Sequence, residues 1–384
     1  MKLGATQGSR ISKKMKWISI SLILIVLTGC RVLPDKGLSR PANEVISTGF
    51  SSPPRIRFGA YPTSTLGTFF IGPNLGKHGY HVPLGEKNGI AYTCRAGHVD
   101  IIHVRIAADW TAYLAAETYK TLMSGKPGFS YKLAVDRSRN YVTLSYPPDW
   151  DRLSRTEQSA AAGEAAMALG PYLAFTMTTW HEILTWFGFR CIGLATEFPS
   201  AFSWEDSFSN LLGTVVAVRA LQDTRHPYNE AIEIAMDEEM EKLGILPAKV
   251  AKDASQRVKG DWFTGSALFF VDIKKRNFDV GLDDGYITPT LLPGVTECPN
   301  AEPASYPVPT LDVLTRHGFT VKLQTRSREW ERDKIFVVLF GNPRDRLVEP
   351  MIHIPRLIEY ARQNAIDQYG YMVEPSTSRA VAHR

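Results

Sequence analysis

Cysteine is scarce and scattered: Cys30, Cys94, Cys191 and Cys298 are the four in 384 residues. None stands at the close spacing that structural zinc sites use, which excludes a zinc finger or ribbon. Long apolar runs are missing too. The run from Trp17 to Leu27 stops after about a dozen residues, whereas a spanning helix needs about 20. The first 29 positions hold no acid but carry Lys2, Arg10, Lys13, Lys14 and Lys16. Without them Lys plus Arg falls from 44 to 39, level with the 39 Asp plus Glu. The pI of 8.9 therefore belongs to the leader, and the rest of the chain lacks the basic excess and the motifs that nucleic acid demands. No repeat recurs at a fixed period.

What is present at the start is ordered: a basic stretch, a short apolar run, then Leu27-Thr28-Gly29-Cys30. This resembles the signal peptides of bacterial lipoproteins, whose lipobox reads aliphatic, small, small, Cys. The resemblance implies cleavage before Cys30 and a diacylglycerol on its thiol, so that the partner of the mature chain is a membrane, held through that lipid. With Arg31 rather than Asp next, it implies an outer-membrane anchor facing the periplasm. Residues 30–54, rich in Pro, Ser and Gly and ending in Ser51-Ser52-Pro53-Pro54, have the composition of a flexible tether.

The 44% hydrophobic content is that of a packed domain, and the patterns predict α+β. The domain is expected over residues 55–370, with a helical body over about 97–258, a β-rich part over about 260–370 and a disordered tail over 371–384. His78 and His81 read as residues of a mobile surface loop, and Arg105 and Asp109 as a helix-surface ion pair. Residues 126–147 read as a hairpin. Ser154-Arg155-Thr156-Glu157 is a capping box, and the helix it opens is expected to break at Gly170-Pro171. Ala267 to Ile273, Asp279 to Ile287, Phe319 to Thr325 and Ile335 to Leu339 read as strands, and His353 to Gln368 as a last helix.

Chemistry concentrates between Pro171 and Gly213. His181 and Glu182 stand among Tyr172, Phe175, Met177, Trp180, Trp186 and Phe187, followed by Glu197, Ser203, Glu205 and Asn210. Ionisable groups in apolar surroundings cost several kcal/mol unless paired or ligated, so about half a dozen of them form either a pocket or a satisfied network. Asp100 and His103, three apart at a helix start, are expected to join them, with His98 close by; the alternative for Asp100 is a cap bonded to His103. His181-Glu182-x-x-Thr185 is similar to the helix of zinc metallopeptidases, with Thr185 where the second imidazole would be. On that reading His103, His181 and Glu197 or Glu205 would hold a metal such as zinc and Glu182 would activate water. The alternatives are a scaffold or binding lipoprotein whose cluster is structural, and a thiol hydrolase acting on cell-wall peptides through Cys94 with His98 or His103 as base.

Over residues 55–370 the chain resembles an uncharacterised family of predicted bacterial lipoproteins, on the stretches Gly97 to Arg105, Trp180 to Gly188 and Ser200 to Gly213. The resemblance implies that these stretches form one unit and brings no activity with it.

Overall fold

A computed structural model describes residues 46, 50–57, 69–82, 85–133, 136–190, 196–265 and 271–372. The leader, Cys30, nearly all of the tether, Cys191 and the tail beyond residue 372 lie outside them. The architecture is α+β, a helical body with small antiparallel sheets.

A short hairpin, β1 (Ile90–Thr93) and β2 (Gly97–Asp100), delivers the chain straight into α1 (Ile101–Met123). Asp100 caps that helix, its Oδ1 accepting from the Ile102 N–H at 2.8 Å and the His103 N–H at 3.4 Å. This satisfies donors that a helix start leaves open. α1 is buried on nearly every side, which its run of alanines (Ala107, Ala108, Ala112, Ala115, Ala116) permits by keeping the cylinder thin.

The two helices against α1 are α2 (Arg155–Trp186) and α3 (Asp206–Gln222). The capping box at Ser154 and Glu157 is formed. The helix does not break at Gly170-Pro171 as the sequence suggests. Gly170 lies against α1, where a Cβ would stand 2.8 Å from the Thr111 carbonyl oxygen, so removing it would forfeit the contact between the helices. Packing of that face outweighs the hydrogen bond that Pro171 forfeits. Gly213 plays the same part in α3, where a Cβ would come within 2.3 Å of the Val104 carbonyl oxygen.

Helices α4 (Tyr228–Lys242) and α5 (Ala248–Arg257) follow. The hairpin of β3 (Gly128–Tyr131) and β4 (Arg139–Ser145) becomes a three-stranded sheet when a strand from far down the chain joins β4. The β-rich part is sparser than its residues suggest, with two-residue strands β5 (Phe263–Thr264), β6 (Asp272–Ile273), β7 (Tyr286–Ile287) and β8 (Tyr306–Pro307). The expected strand from Asp279 is a loop up to β7, because Asn277, Asp279 and Asp284 accept hydrogen bonds from backbone N–H groups two residues on. After the short α6 (Asp312–Arg316), β9 (Thr320–Arg326) pairs with β4 as the predicted strand. The expected strand Ile335 to Leu339 is instead α7 (Arg332–Phe340). Ile335, Phe336 and Leu339 share a helical face on the core, and Gly341, at φ 72°, ends the helix in the left-handed region that a C-cap favours. The last helix, α8 (Pro350–Tyr369), packs on α2.

Candidate functional site

The first turn of α1, the last turns of α2 and the start of α3 meet at one point, and their ionisable side chains meet with them. The His103 Nδ1 stands 3.2 Å from an Asp206 carboxylate oxygen and 3.7 Å from one of Asp100. Burial opposes a charged ring, but Asp100 and then Asp206 outweigh it and carry the His103 pKa to about 10. Glu182, on α2, accepts the Phe202 N–H at 3.0 Å. Burial and then the Asp206 charge push its pKa up to about 7, against the pull of His103 and His181. The His181 Nδ1 lies 3.6 Å from Asp136 Oδ2, and here too burial is outweighed, by Asp136 and then Glu197, so the ring's pKa is raised. Asp136 is itself held: its Oδ1 accepts the Ser138 N–H at 2.9 Å, while the Ser138 Oγ accepts the Trp180 indole N–H at 3.0 Å.

The segment from Glu197 to Asp206 wraps this cluster. Phe202 is fully buried at φ 53°, a left-handed conformation rare for an aromatic residue, and its N–H is the one that Glu182 accepts. Asp206 Oδ2 accepts the Ser203 N–H at 2.9 Å. Arg276 donates from Nη1 to the carbonyls of Ala201 and Phe198.

Of the residues singled out from sequence, Asp100, His103, His181 and Glu182 come together, and Glu197 acts on His181 from the neighbouring turn. The carboxylate that meets His103 belongs to Asp206 rather than to Glu205 beside it, and Ser203 contributes its backbone N–H to that carboxylate. Asn210 is buried one turn further along α3. His98 stands apart. Its Nε2 donates to the Ala251 carbonyl at 2.8 Å and its Nδ1 accepts the Trp204 indole N–H at 3.3 Å, so the neutral ring is fixed in one tautomer. Burial, against the pull of Ala251, takes its pKa down to about 4. Cys94 forms a disulfide with Cys298. The thiol nucleophile expected there is therefore absent, its sulfur shared in a bond that leaves no thiolate to attack. Among the described residues no group of three or more His, Cys, Asp or Glu side chains is arranged to hold a metal ion. Asp136 and Asp206 were the residues missed: Asp206 reads as the fourth residue of a helix-start motif, and nothing local marks Asp136.

A second buried charge cluster lies further along α1. Arg105 and Asp109, expected on the surface as a pair, are 1% and 0% exposed and bond elsewhere. Asp109 takes Arg57 Nη1 at 2.6 Å, His78 Nε2 at 2.9 Å and the Tyr228 hydroxyl at 3.1 Å. Arg105 donates to His78 Nδ1 at 2.9 Å and to the Leu75 carbonyl at 2.8 Å, and Glu86 takes Arg57 and Arg55. His78 thus lies in the interior rather than in a surface loop. Nearly every donor and acceptor there is spent on another, which marks it as a scaffold that ties residues 55–57, 75–79 and 86 to α1.

An α+β domain with buried carboxylate–imidazole pairs where three helices meet is the class these observations define. The chain belongs to the family described as protein of unknown function (DUF4056), whose model matches residues 75–284, more than half of its length. That span contains Asp100, His103, Asp136, His181, Glu182, Asp206 and Arg276. No curated protein and no solved structure matches the chain.

Proposed function

We propose that this protein is a lipid-anchored protein of the bacterial envelope whose central cluster is an acid–base site of the kind hydrolases use, with Glu182 as the proton acceptor. The basic leader and lipobox support the anchor. So does the Cys94–Cys298 bridge, since disulfides persist in oxidising compartments such as the periplasm. No described helix is long and apolar enough to cross a membrane. Changing Cys30 to Ala is expected to leave an uncleaved precursor with no lipid label, and normal processing of that variant would remove the anchor from the proposal.

The observation that carries the acid–base reading is one carboxyl group, Glu182, buried beside two imidazoles and an aspartate with its pKa near neutrality. A group so placed exchanges a proton at physiological pH, and the imidazoles on either side are paired with their own carboxylates and stay in position. This reading does not call on a metal: a carboxylate faces the Nδ1 of each imidazole, and among the described residues no three ligating side chains are grouped to hold an ion.

The competing reading, a clamp holding three helices in register, is favoured by the bond from the Phe202 N–H to Glu182. Stability measurements on Glu182→Gln separate the two without a known substrate. A raised carboxyl pKa means that the folded state holds the proton better than the unfolded chain. Glu182 is thus neutral at no cost below its unfolded pKa of about 4.3 and costs stability as pH rises through about 7. The glutamine variant is expected to match the wild type at pH 4 and to exceed it by about 1–3 kcal/mol at pH 8, the signature of a residue kept at the expense of stability. A loss of about 3 kcal/mol at both pH values would establish the clamp instead.

A further inference from the structure

A cavity of about 150 Å³ lies between α2, the loop from Val280 to Leu282 and the first turns of α8. That is about the room of an interior cavity that holds one benzene. None of the side chains lining it carries a charge. Two of them, Leu282 and Met351, are large, apolar and about half exposed, so the apolar surface continues outward from the cavity. Apolar surface left open in this way marks a place where something binds. The wall is fixed as well. Gly281 stands at φ 72°, and a Cβ there would come within 2.4 Å of Val308 Cγ1. Asp279 accepts the Gly281 N–H at 3.0 Å with one carboxylate oxygen and the Thr288 N–H at 3.2 Å with the other. A ligand therefore meets a surface already in place, which lowers the cost of binding.

Few polar groups face this space. Those of α2 are Tyr172, Thr176 and Thr179, and the first two share a hydrogen bond. Thr179 is 6% exposed, and its hydroxyl forms no hydrogen bond with another described residue. A buried hydroxyl left without a partner is expensive. Water is a poor remedy, because it needs about two to four polar partners and these walls are mainly apolar.

We infer that this cavity is a binding site for a small neutral molecule, an apolar ring that carries one hydroxyl, a site that goes beyond the acid–base reading of Glu182 and stands without it. The ring fills the space against Phe175, Val280 and Ile354, and the hydroxyl pairs with that of Thr179. This division of labour, apolar walls for affinity and one placed polar group for orientation, is that of small-molecule sites generally. An ionised ring of the same size is excluded, since its charge would lie unpaired among uncharged side chains.

The test is a titration of the full mature protein, labelled with ¹³C-methyl methionine, followed by NMR at the Met351 methyl resonance. Phenol is the probe, benzene is the ring without the hydroxyl, and sodium benzoate is the charged control. Phenol is expected to shift that resonance saturably, with a Kd on the order of 0.1–1 mM for so small a ligand. Benzene should bind about tenfold more weakly, and benzoate should leave the resonance in place. In Thr179→Val, which removes the hydroxyl and keeps the branched shape, phenol should fall to the affinity of benzene while benzene is unchanged. Should Thr179→Val not fold, the three titrations of the wild type decide. A Met351 methyl unmoved by phenol at about ten times the expected Kd, benzoate binding as tightly as phenol, or phenol held equally by Thr179→Val overturns the site.

Discussion

Changing Asp109 to Ala is expected to destabilise the protein by about 3–5 kcal/mol, because it strands a buried guanidinium and not merely a contact. Asp109 is fully buried in the middle of α1 and serves Arg57, His78 and Tyr228 together. With the carboxylate gone, Arg57 keeps Glu86, but the Nη1 edge and the Tyr228 hydroxyl face an apolar void. Urea denaturation would measure the change, and a loss under about 1 kcal/mol would show that water or rearrangement replaces the carboxylate. A pH dependence comes with it. Burial works against the charged forms of Asp109 and Glu86, but His78 and Arg57 on the first, and Arg57 and Arg55 on the second, hold both below the usual carboxylate range. Carboxyls depressed in the fold contribute stability that is complete above their unfolded pKa values of about 3.9 and 4.3 and is lost as pH falls through the lower folded values. The wild type should therefore weaken steeply on acidification below about pH 4, and Asp109→Ala should weaken less steeply there.

Reduction of the Cys94–Cys298 bridge is the second large effect. The two residues are 204 apart in sequence, and the chain-entropy estimate for a loop of that size is about 5 kcal/mol. A loss of about 3–5 kcal/mol is expected on treatment with dithiothreitol or in the Cys94→Ala, Cys298→Ala double variant, with Tm lower by about 10 °C. The bridge joins the turn between β1 and β2 to the proline-rich connector ahead of β8, so its loss should loosen that connector first. Hydrogen exchange on residues 293–303 would detect this, and equal melting with and without reductant would show that packing alone holds the connector.

The helical body was legible because its signals are local. The capping box at Ser154, the cap at Asp100 and the apolar spacing along α1 each act within a turn or two and carry through to the fold. Failures came where a distant surface decides. Pro171 stays inside a helix because α1 covers that face, and Ile335 to Leu339 is helical because the core accepts one face of it rather than alternate residues. The site divides in the same way. His103, His181 and Glu182 announced themselves as charges in apolar sequence, and the expectation that they meet was sound physics. Their carboxylate partners were not legible: Asp136 arrives from the segment before β4, and Asp206 was hidden in a capping pattern it also fulfils through Ser203. Arg276 carried no signal at all, since an arginine beside two lysines in Lys274-Lys275-Arg276 reads as solvated surface.

The pairing of β4 with β9 has a consequence for how the chain acquires its shape. Every residue from Arg139 to Ser145 finds its partner between Thr320 and Arg326, about 180 positions later. Contacts of such range are slow to form, because a long loop must close before any hydrogen bond repays it. A nascent chain that has emerged only as far as residue 284, the end of the family match, has its long central helices but leaves one edge of β4 bare. A bare edge invites pairing with other chains. Until β9 arrives, that edge is where the growing polypeptide is most open to strand exchange with its neighbours, and closing the three-stranded sheet ends that exposure.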